Sequence, residues 1–176
     1  VDGDDAPLPS LAETLEAGGI FYKVPAADKK ESLRAAVNTM KLPPAIDKEI
    51  LFSILLAREE LASTAIGEGI AIPHVRNPIV LKMDKPLVTL SFMEKPIAFD
   101  ALDGQPVFAL FTMVCPTIRI HLHLLSKLAY ILRNPTFKKI LKSRAPLEEI
   151  IKCARQIEGT FKQTPSAGGQ GAATPA

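Results

Sequence analysis

The chain is short of the features that mark redox, membrane and nucleic-acid proteins. Only Cys115 and Cys153 are cysteines. Both sit in apolar surroundings without CxxC or metal-ligand spacing, so two buried thiols in a reducing cytoplasm are expected ahead of a disulfide. No apolar run approaches the roughly 18 to 20 residues of a membrane helix, and no charged-then-apolar leader opens the chain, so membrane insertion is not expected. Lys plus Arg total 21 against 19 for Asp plus Glu. That near balance gives no global basic field for nucleic acid or a membrane surface. No internal repeat is visible, and no HExxH pattern or cysteine cluster points to zinc.

What is present suits one globular domain. Hydrophobic residues at 47% and charged residues at 23% are ordinary for a soluble core of this size. The ends read as loose: residues 1–7 are acidic and glycine-containing, and 159–176 run into Gly, Ala, Ser, Thr, Pro and Gln, too little apolar surface to offset ordering. Between them, 8–158 form the domain. Ser10 opens a helix that stops at Gly18-Gly19, and Ile20 to Val24 is a strand. Asp28 and Glu31 make a capping box before a helix with Leu33, Ala36, Val37 and Met40 on one face. After Pro43-Pro44 a second helix is expected to turn Ile50, Leu51, Ile54 and Leu55 inward, its stripe ending on Arg58. Ile70–Ile72, Leu87–Met93 and Val107–Val114 read as strands, the last apolar enough to be covered on both faces. Asp103-Gly104 marks a turn. Helices follow over Ile118–Leu132, around Phe137–Leu141, and through Leu147, Ile150, Ile151 and Ala154. This order predicts an α/β fold with helices on both faces of a mixed β-sheet.

His74 carries the chemistry in this reading. It closes the run Gly69-Ile70-Ala71-Ile72-Pro73 and follows a helix that delivers Arg58. An unperturbed imidazole is mostly neutral at pH 7, with one nitrogen free to attack phosphorus. Pro73 favours an extended backbone ahead of it, and Gly67 and Gly69 would let backbone amides approach a phosphate. A bare Pro-His pair is more often a surface or core histidine; the surroundings reverse that expectation. Arg58 needs an anion or carbonyls nearby, because a charge stranded away from water is costly. His121 begins the stripe Leu124, Leu125, Leu128, Ala129 and Leu132, so it points inward near a helix start. On spacing alone it is equally a core histidine or a second site residue. His123 lies about 200° further round the helix, with Lys127 and Tyr130, so the HxH spacing makes no metal pair. No Walker-type phosphate loop is present, so ATP is not expected as phosphoryl donor. Nothing near Ser63 and Thr64 completes a hydrolase triad. From Thr117 to Arg144 seven residues are basic and none acidic, a docking face for an acidic partner or, more commonly, a solvated helix surface.

Several longer motifs occur in one order: Ala57-Arg58-Glu59-Glu60, Ser63-Thr64-Ala65-Ile66-Gly67, Gly69 to His74, Pro96 to Val107, and His121-Leu122-His123-Leu124-Leu125. Through them residues 8–155 resemble enzyme IIA of the bacterial phosphotransferase system, fructose and mannitol class, above all its nitrogen-regulatory branch. The resemblance implies a three-layer fold of the phosphotransferase/anion-transport-like kind. It implies that His74 accepts a phosphoryl group from the histidine phosphocarrier protein, with Arg58 and His121 beside it. Thr64 and Arg76 would add phosphate contacts. No metal, nucleotide or other cofactor is implied, since the donor is already an activated phosphorus–nitrogen bond. Onward partners would be an enzyme IIB component or a regulatory target protein, and the domain itself would not bind nucleic acid. One departure stands out: where the family usually has a small residue after the histidine, this chain has Val75-Arg76-Asn77-Pro78. Retained phosphorylation with altered partner choice is the expected result.

The leading expectation is therefore a cytoplasmic phosphocarrier with a phosphohistidine at His74, regulatory rather than dedicated to sugar transport. The alternative is a phosphorylation-responsive binding domain cut from a larger, DNA-binding regulator, which the abrupt start at Val1 and the acidic Asp2–Asp5 would suit.

Overall fold

A computed structural model of the chain describes residues 7–75, 77 and 81–162. Helix α1 (Leu11–Gly18) begins where Ser10 caps it, the serine hydroxyl accepting the Glu13 amide at 3.2 Å. A second cap comes from the far end of the chain. The Glu158 carboxylate accepts the amides of Leu11 and Ala12 at 2.6 and 2.9 Å and the Ser10 hydroxyl at 3.0 Å, and pairs with Lys127 at 2.8 Å. First-turn amides have no partner within their own helix; here a side chain from the other terminus supplies one. Helix α1 then ends against the sheet at Gly18, where a Cβ would lie 1.8 Å from the Val88 carbonyl oxygen. Only glycine permits that approach.

Strand β1 (Ile20–Val24) follows, then α2 (Lys29–Thr39), capped by Asp28, and α3 (Lys48–Leu61), capped by Asp47. A short hairpin, β2 (Ala65–Gly67) and β3 (Ile70–Ala71), precedes the long strands β4 (Leu87–Ile97) and β5 (Val107–Val114). Helices α4 (Ile118–Leu132), α5 (Pro135–Lys142) and α6 (Leu147–Glu158) complete the domain. The sheet order is β1-β4-β5-β3-β2. Strand β4 runs antiparallel to β5, β1 parallel to β4, and β3 parallel to β5, the mixed sheet expected from the element order.

All eight residues of β5 are buried because the two faces of the sheet serve two cores. Ala109, Phe111 and Met113 join Leu11, Leu15, Leu124, Leu128, Phe137 and Ile150 beneath α1, α4, α5 and α6. Leu110 and Val114 join Leu33, Val37, Leu51, Phe52 and Leu55 beneath α2 and α3. Period-two alternation along one strand thus feeds both helical layers. Cys115 and Cys153 are free and buried as expected, and burial pushes the Cys115 thiol up to about 12.

Four local expectations are corrected. In α3 the buried face is Leu51, Phe52, Leu55 and Glu59, with Ile50 54% exposed; the face is turned by one residue, about 100°. In α4, Ala129 is exposed and Ile131 is buried instead. Strand β4 continues past Met93 because Ile97 pairs with Val107 after a register shift. Strand β2, three residues long, was not expected; its alternation is too brief to read. The loose segments expected at 1–7 and 159–176 lie largely outside the described residues. Up to Phe161 the chain is hydrogen-bonded back onto α6, with Phe161 packed edge-on against Tyr130 at 5.2 Å.

The Glu158 clasp makes a pH-dependent prediction. Burial alone would raise its carboxyl pKa, but Lys127, the Ala12 and Leu11 amides and Ser10 outweigh burial and hold it below the usual glutamate range. A carboxyl depressed in the folded state adds stability above its unfolded pKa of about 4.3, and loses it as pH falls through the folded value. Glu158→Gln should therefore cost about 1–3 kcal/mol near neutral pH, with the difference from wild type shrinking below about pH 4. Urea unfolding at several pH values checks this; a pH-independent gap would contradict it.

Candidate functional site

The site is assembled where α3, the β2–β3 hairpin and α4 meet at one end of the sheet. Strand β3 is laid on β5 by the pairs Ile70–Ala109 and Ala71–Leu110. Beyond it the chain stays pinned: the Ile72 amide donates to the Thr64 carbonyl at 3.0 Å, and the Pro73 carbonyl accepts the Met113 amide at 2.9 Å. His74 forms an isolated parallel bridge with Met113. Val75, the departure noted above, is 1% exposed and packs into the α2–α3 core.

The half-buried His74 ring is held by one short contact, Nδ1 to the Ile72 carbonyl at 2.7 Å. A carbonyl can only accept, so Nδ1 carries the proton and the lone pair of the neutral ring resides on Nε2. Burial lowers the His74 pKa first, and the Arg58 charge lowers it further; the Ile72 bond and Glu59 oppose them without prevailing. The ring is accordingly mostly neutral at pH 7, with its free lone pair on Nε2.

His121 lies in the first turn of α4, where the Thr117 hydroxyl caps the helix. It is 7% exposed, and its ring centroid sits 5.3 Å from that of His74 at a 48° tilt. Burial, then the proximity of His74, lowers its pKa. Two adjacent rings in a partly dry site resist carrying charge together. His123 faces elsewhere, as expected, toward the Pro9 backbone, Lys127 and Glu158.

Arg58 is half-buried at the end of α3, and its Nη1 donates to the Ala62 carbonyl at 2.8 Å. The carbonyl that its position demanded is there. The buried stripe of α3, however, ends on Glu59 rather than Arg58. Thr64 is buried and faces Glu59: its amide donates to Oε1 at 3.0 Å and its hydroxyl to Oε2. That hydroxyl proton is thus already committed within the protein. Arg76 lies outside the described residues. Gly67 and Gly69 shape the hairpin, both at positive φ. They bracket Glu68, whose amide donates to Asp103 at 2.8 Å, and a Cβ on Gly69 would meet Phe108 at 2.6 Å. Glu59 is the residue that sequence reasoning missed. Its i+4 and i+8 spacing from Leu55 and Leu51 could have revealed it.

A recess of about 1300 Å³ runs along the outer face of α4 past Leu122, Ser126 and Tyr130, with Ile66 of β2 also in its lining, and His74, His121 and Arg58 do not line it. Leu61 at the end of α3 and Ile118 in the first turn of α4, on the helices that carry Arg58 and His121, are exposed.

The family model described as "Phosphoenolpyruvate-dependent sugar phosphotransferase system, EIIA 2" matches residues 13–156. The chain belongs to that family. Within this EIIA type 2 family, it is 35% identical over 151 residues to a nitrogen regulatory protein of Pseudomonas aeruginosa, covering 84% of this chain and 96% of the relative. It is 36% identical over 158 residues to the nitrogen regulatory protein of Escherichia coli, covering 85% and 92%. Among solved structures, nitrogen regulatory protein IIA-Ntr from Neisseria meningitidis superposes with a TM-score of 0.71 at 27% identity, over 82% of this chain and 98% of that one. The mannitol IIA of Escherichia coli shares the fold with a TM-score of 0.65 at 21% identity, over 78% and 96%.

The lowered pKa values of both site histidines make a direct prediction. Titration followed by NMR should place both midpoints below the ordinary value of about 6.5, so each ring is less than half protonated at that pH. A His74 midpoint above that value would contradict the neutral ring.

Proposed function

We propose that this domain is a phosphocarrier in which His74 Nε2 accepts a phosphoryl group from the phosphohistidine of the histidine phosphocarrier protein. The observation that carries the reading is the Nδ1 contact with Ile72, which leaves Nε2 unprotonated beside His121 and within the field of Arg58. In the transfer, the Nε2 lone pair forms the new phosphorus–nitrogen bond while the electron pair of the breaking bond returns to the donor imidazole. Such a loose, in-line displacement depends on positioning and on cationic or hydrogen-bond donors around the equatorial oxygens. Arg58 supplies the charge and His121 a ring N–H. Thr64 takes a supporting role through Glu59, while Arg76 remains a candidate phosphate contact.

A histidine pair that does not line the recess along α4 suits delivery of phosphate by a protein rather than by a small molecule. The exposed Leu61 and Ile118, on the helices that carry Arg58 and His121, provide apolar ground such a partner would cover. A mannitol IIA has been solved in complex with its phosphorylated enzyme IIB at 20% identity to this chain, and an onward IIB-like acceptor is one use of the phosphoryl group. The second use, a regulatory signal to a target protein, is favoured by the relatives named nitrogen regulatory proteins.

Reconstitution with phosphoenolpyruvate, enzyme I and the phosphocarrier protein tests the proposal. Label should appear on His74 and vanish in His74→Ala. His121→Ala should slow transfer about 10²-fold, within the range for loss of one transition-state donor, without abolishing it. Loss of all label in His121→Ala but not in His74→Ala would reverse the two roles. Because protonation of Nε2 removes the nucleophile, acceptance should decline as pH falls through the His74 midpoint, which lies below the ordinary value of about 6.5.

A further inference from the structure

Glu59 has a side chain only 1% exposed, and no bond-making step above uses it. A carboxylate so far from water is costly unless paired and hydrogen-bonded, and here it is both. Oε1 accepts the Thr64 amide at 3.0 Å and lies 3.1 Å from Lys29 Nζ; Oε2 accepts the Thr64 hydroxyl. Lys29 is itself held, 3.2 Å from Asp100 and 4.8 Å from the centroid of the Phe99 ring.

Two short paths lead from Thr64 into the site. Along one, the Thr64 carbonyl accepts the Ile72 amide at 3.0 Å, and the Ile72 carbonyl accepts His74 Nδ1–H at 2.7 Å. Along the other, two residues back in the chain, the Ala62 carbonyl accepts the Arg58 guanidinium at 2.8 Å. The one residue between, Ser63, is fixed by its hydroxyl, which donates to the Phe99 carbonyl at 2.5 Å and accepts the Ala65 amide at 3.1 Å. Nucleophile and cation are therefore tethered to the same carboxylate, from opposite ends of the segment 62–64.

We propose that Glu59 is a positioning residue: through Thr64 and Ile72 it orients the His74 ring, and through the segment 62–64 it places the guanidinium of Arg58 relative to that ring. Its consequence for rate rests on the phosphoryl-transfer reading above; the orientation of the ring does not. Lys29, shared between Glu59 and Asp100, offsets part of the Glu59 charge while the carboxylate accepts both Thr64 donors. An apolar side chain cannot replace it: the Thr64 amide and hydroxyl would both lose their acceptor, and both paths their anchor.

The test combines nitrogen-15 NMR of the His74 ring in the unphosphorylated protein with transfer rates from the phosphorylated phosphocarrier protein. In Glu59→Leu the ring should leave the single Nδ1–H form, its two nitrogen shifts moving toward averaged values. Transfer at saturating donor should fall about 10- to 100-fold, as expected for misplacement of a reacting group, with half-saturation changed less than about twofold. Thr64→Val should act in the same direction, and Thr64→Ser should restore both readouts. An unchanged tautomer with rates within about twofold of wild type, in folded Glu59→Leu or, should that variant not fold, in Thr64→Val, would overturn the proposal. If the wild-type protein accepted no phosphate, the transfer reading would fall alone, because the tautomer would still report on Glu59.

Discussion

A hydrogen bond of 2.7 Å between His74 Nδ1 and the Ile72 carbonyl selects which ring nitrogen is free, and the fold around it exists in a form that keeps that bond in place. The donor and acceptor are two residues apart, so the bond needs the backbone from Ile72 to His74 held extended. That extension is imposed from both sides: by β5 through the Met113 amide, and by the Thr64 carbonyl. Strand β5 is rigid because both its faces are buried under separate helical layers. The chemistry of one imidazole thus depends on the packing of the whole sheet.

Electrostatics at the site follow from partial rather than complete burial. A fully exposed histidine would be partly protonated near neutrality, and a fully buried one could not meet a partner. His74 lies between these limits, with Arg58 adding a further bias toward the neutral ring. Under the proposed function the same guanidinium that disfavours a proton on the ring would favour a phosphoryl group there, because the two carry opposite charge. His121 is almost buried beside it, where the start of α4 holds it against the core.

The termini contribute to the same rigidity from a distance. Glu158, in the last turn of α6, caps α1 and pairs with Lys127 of α4. Three helices of one layer are joined by one carboxylate, much as the other layer meets the site through Glu59 and Lys29. Both are buried acids whose oxygens are taken up by amides, a hydroxyl and a lysine. Each satisfies donors that would otherwise be left unpaired away from water.

Helix starts and strand interiors were legible from the sequence because their causes are local. Ser10, Asp28 and the apolar run of β5 each act over a few residues. So were His74, as the end of an extended glycine- and proline-flanked segment, and the inward side of His121. The tertiary structure alone decided which face of α3 is buried. Ile50, Leu51, Ile54 and Leu55 are all apolar, and only the sheet beneath them selects Leu51 and Leu55, carrying Glu59 inward and leaving Arg58 at the edge. It also decided that the Thr64 hydroxyl faces a carboxylate, that Gly69 makes room for Phe108, and that Glu158 caps a helix nearly 150 residues away. These outcomes depend on contacts between segments distant in the chain, for which a local pattern carries no signal.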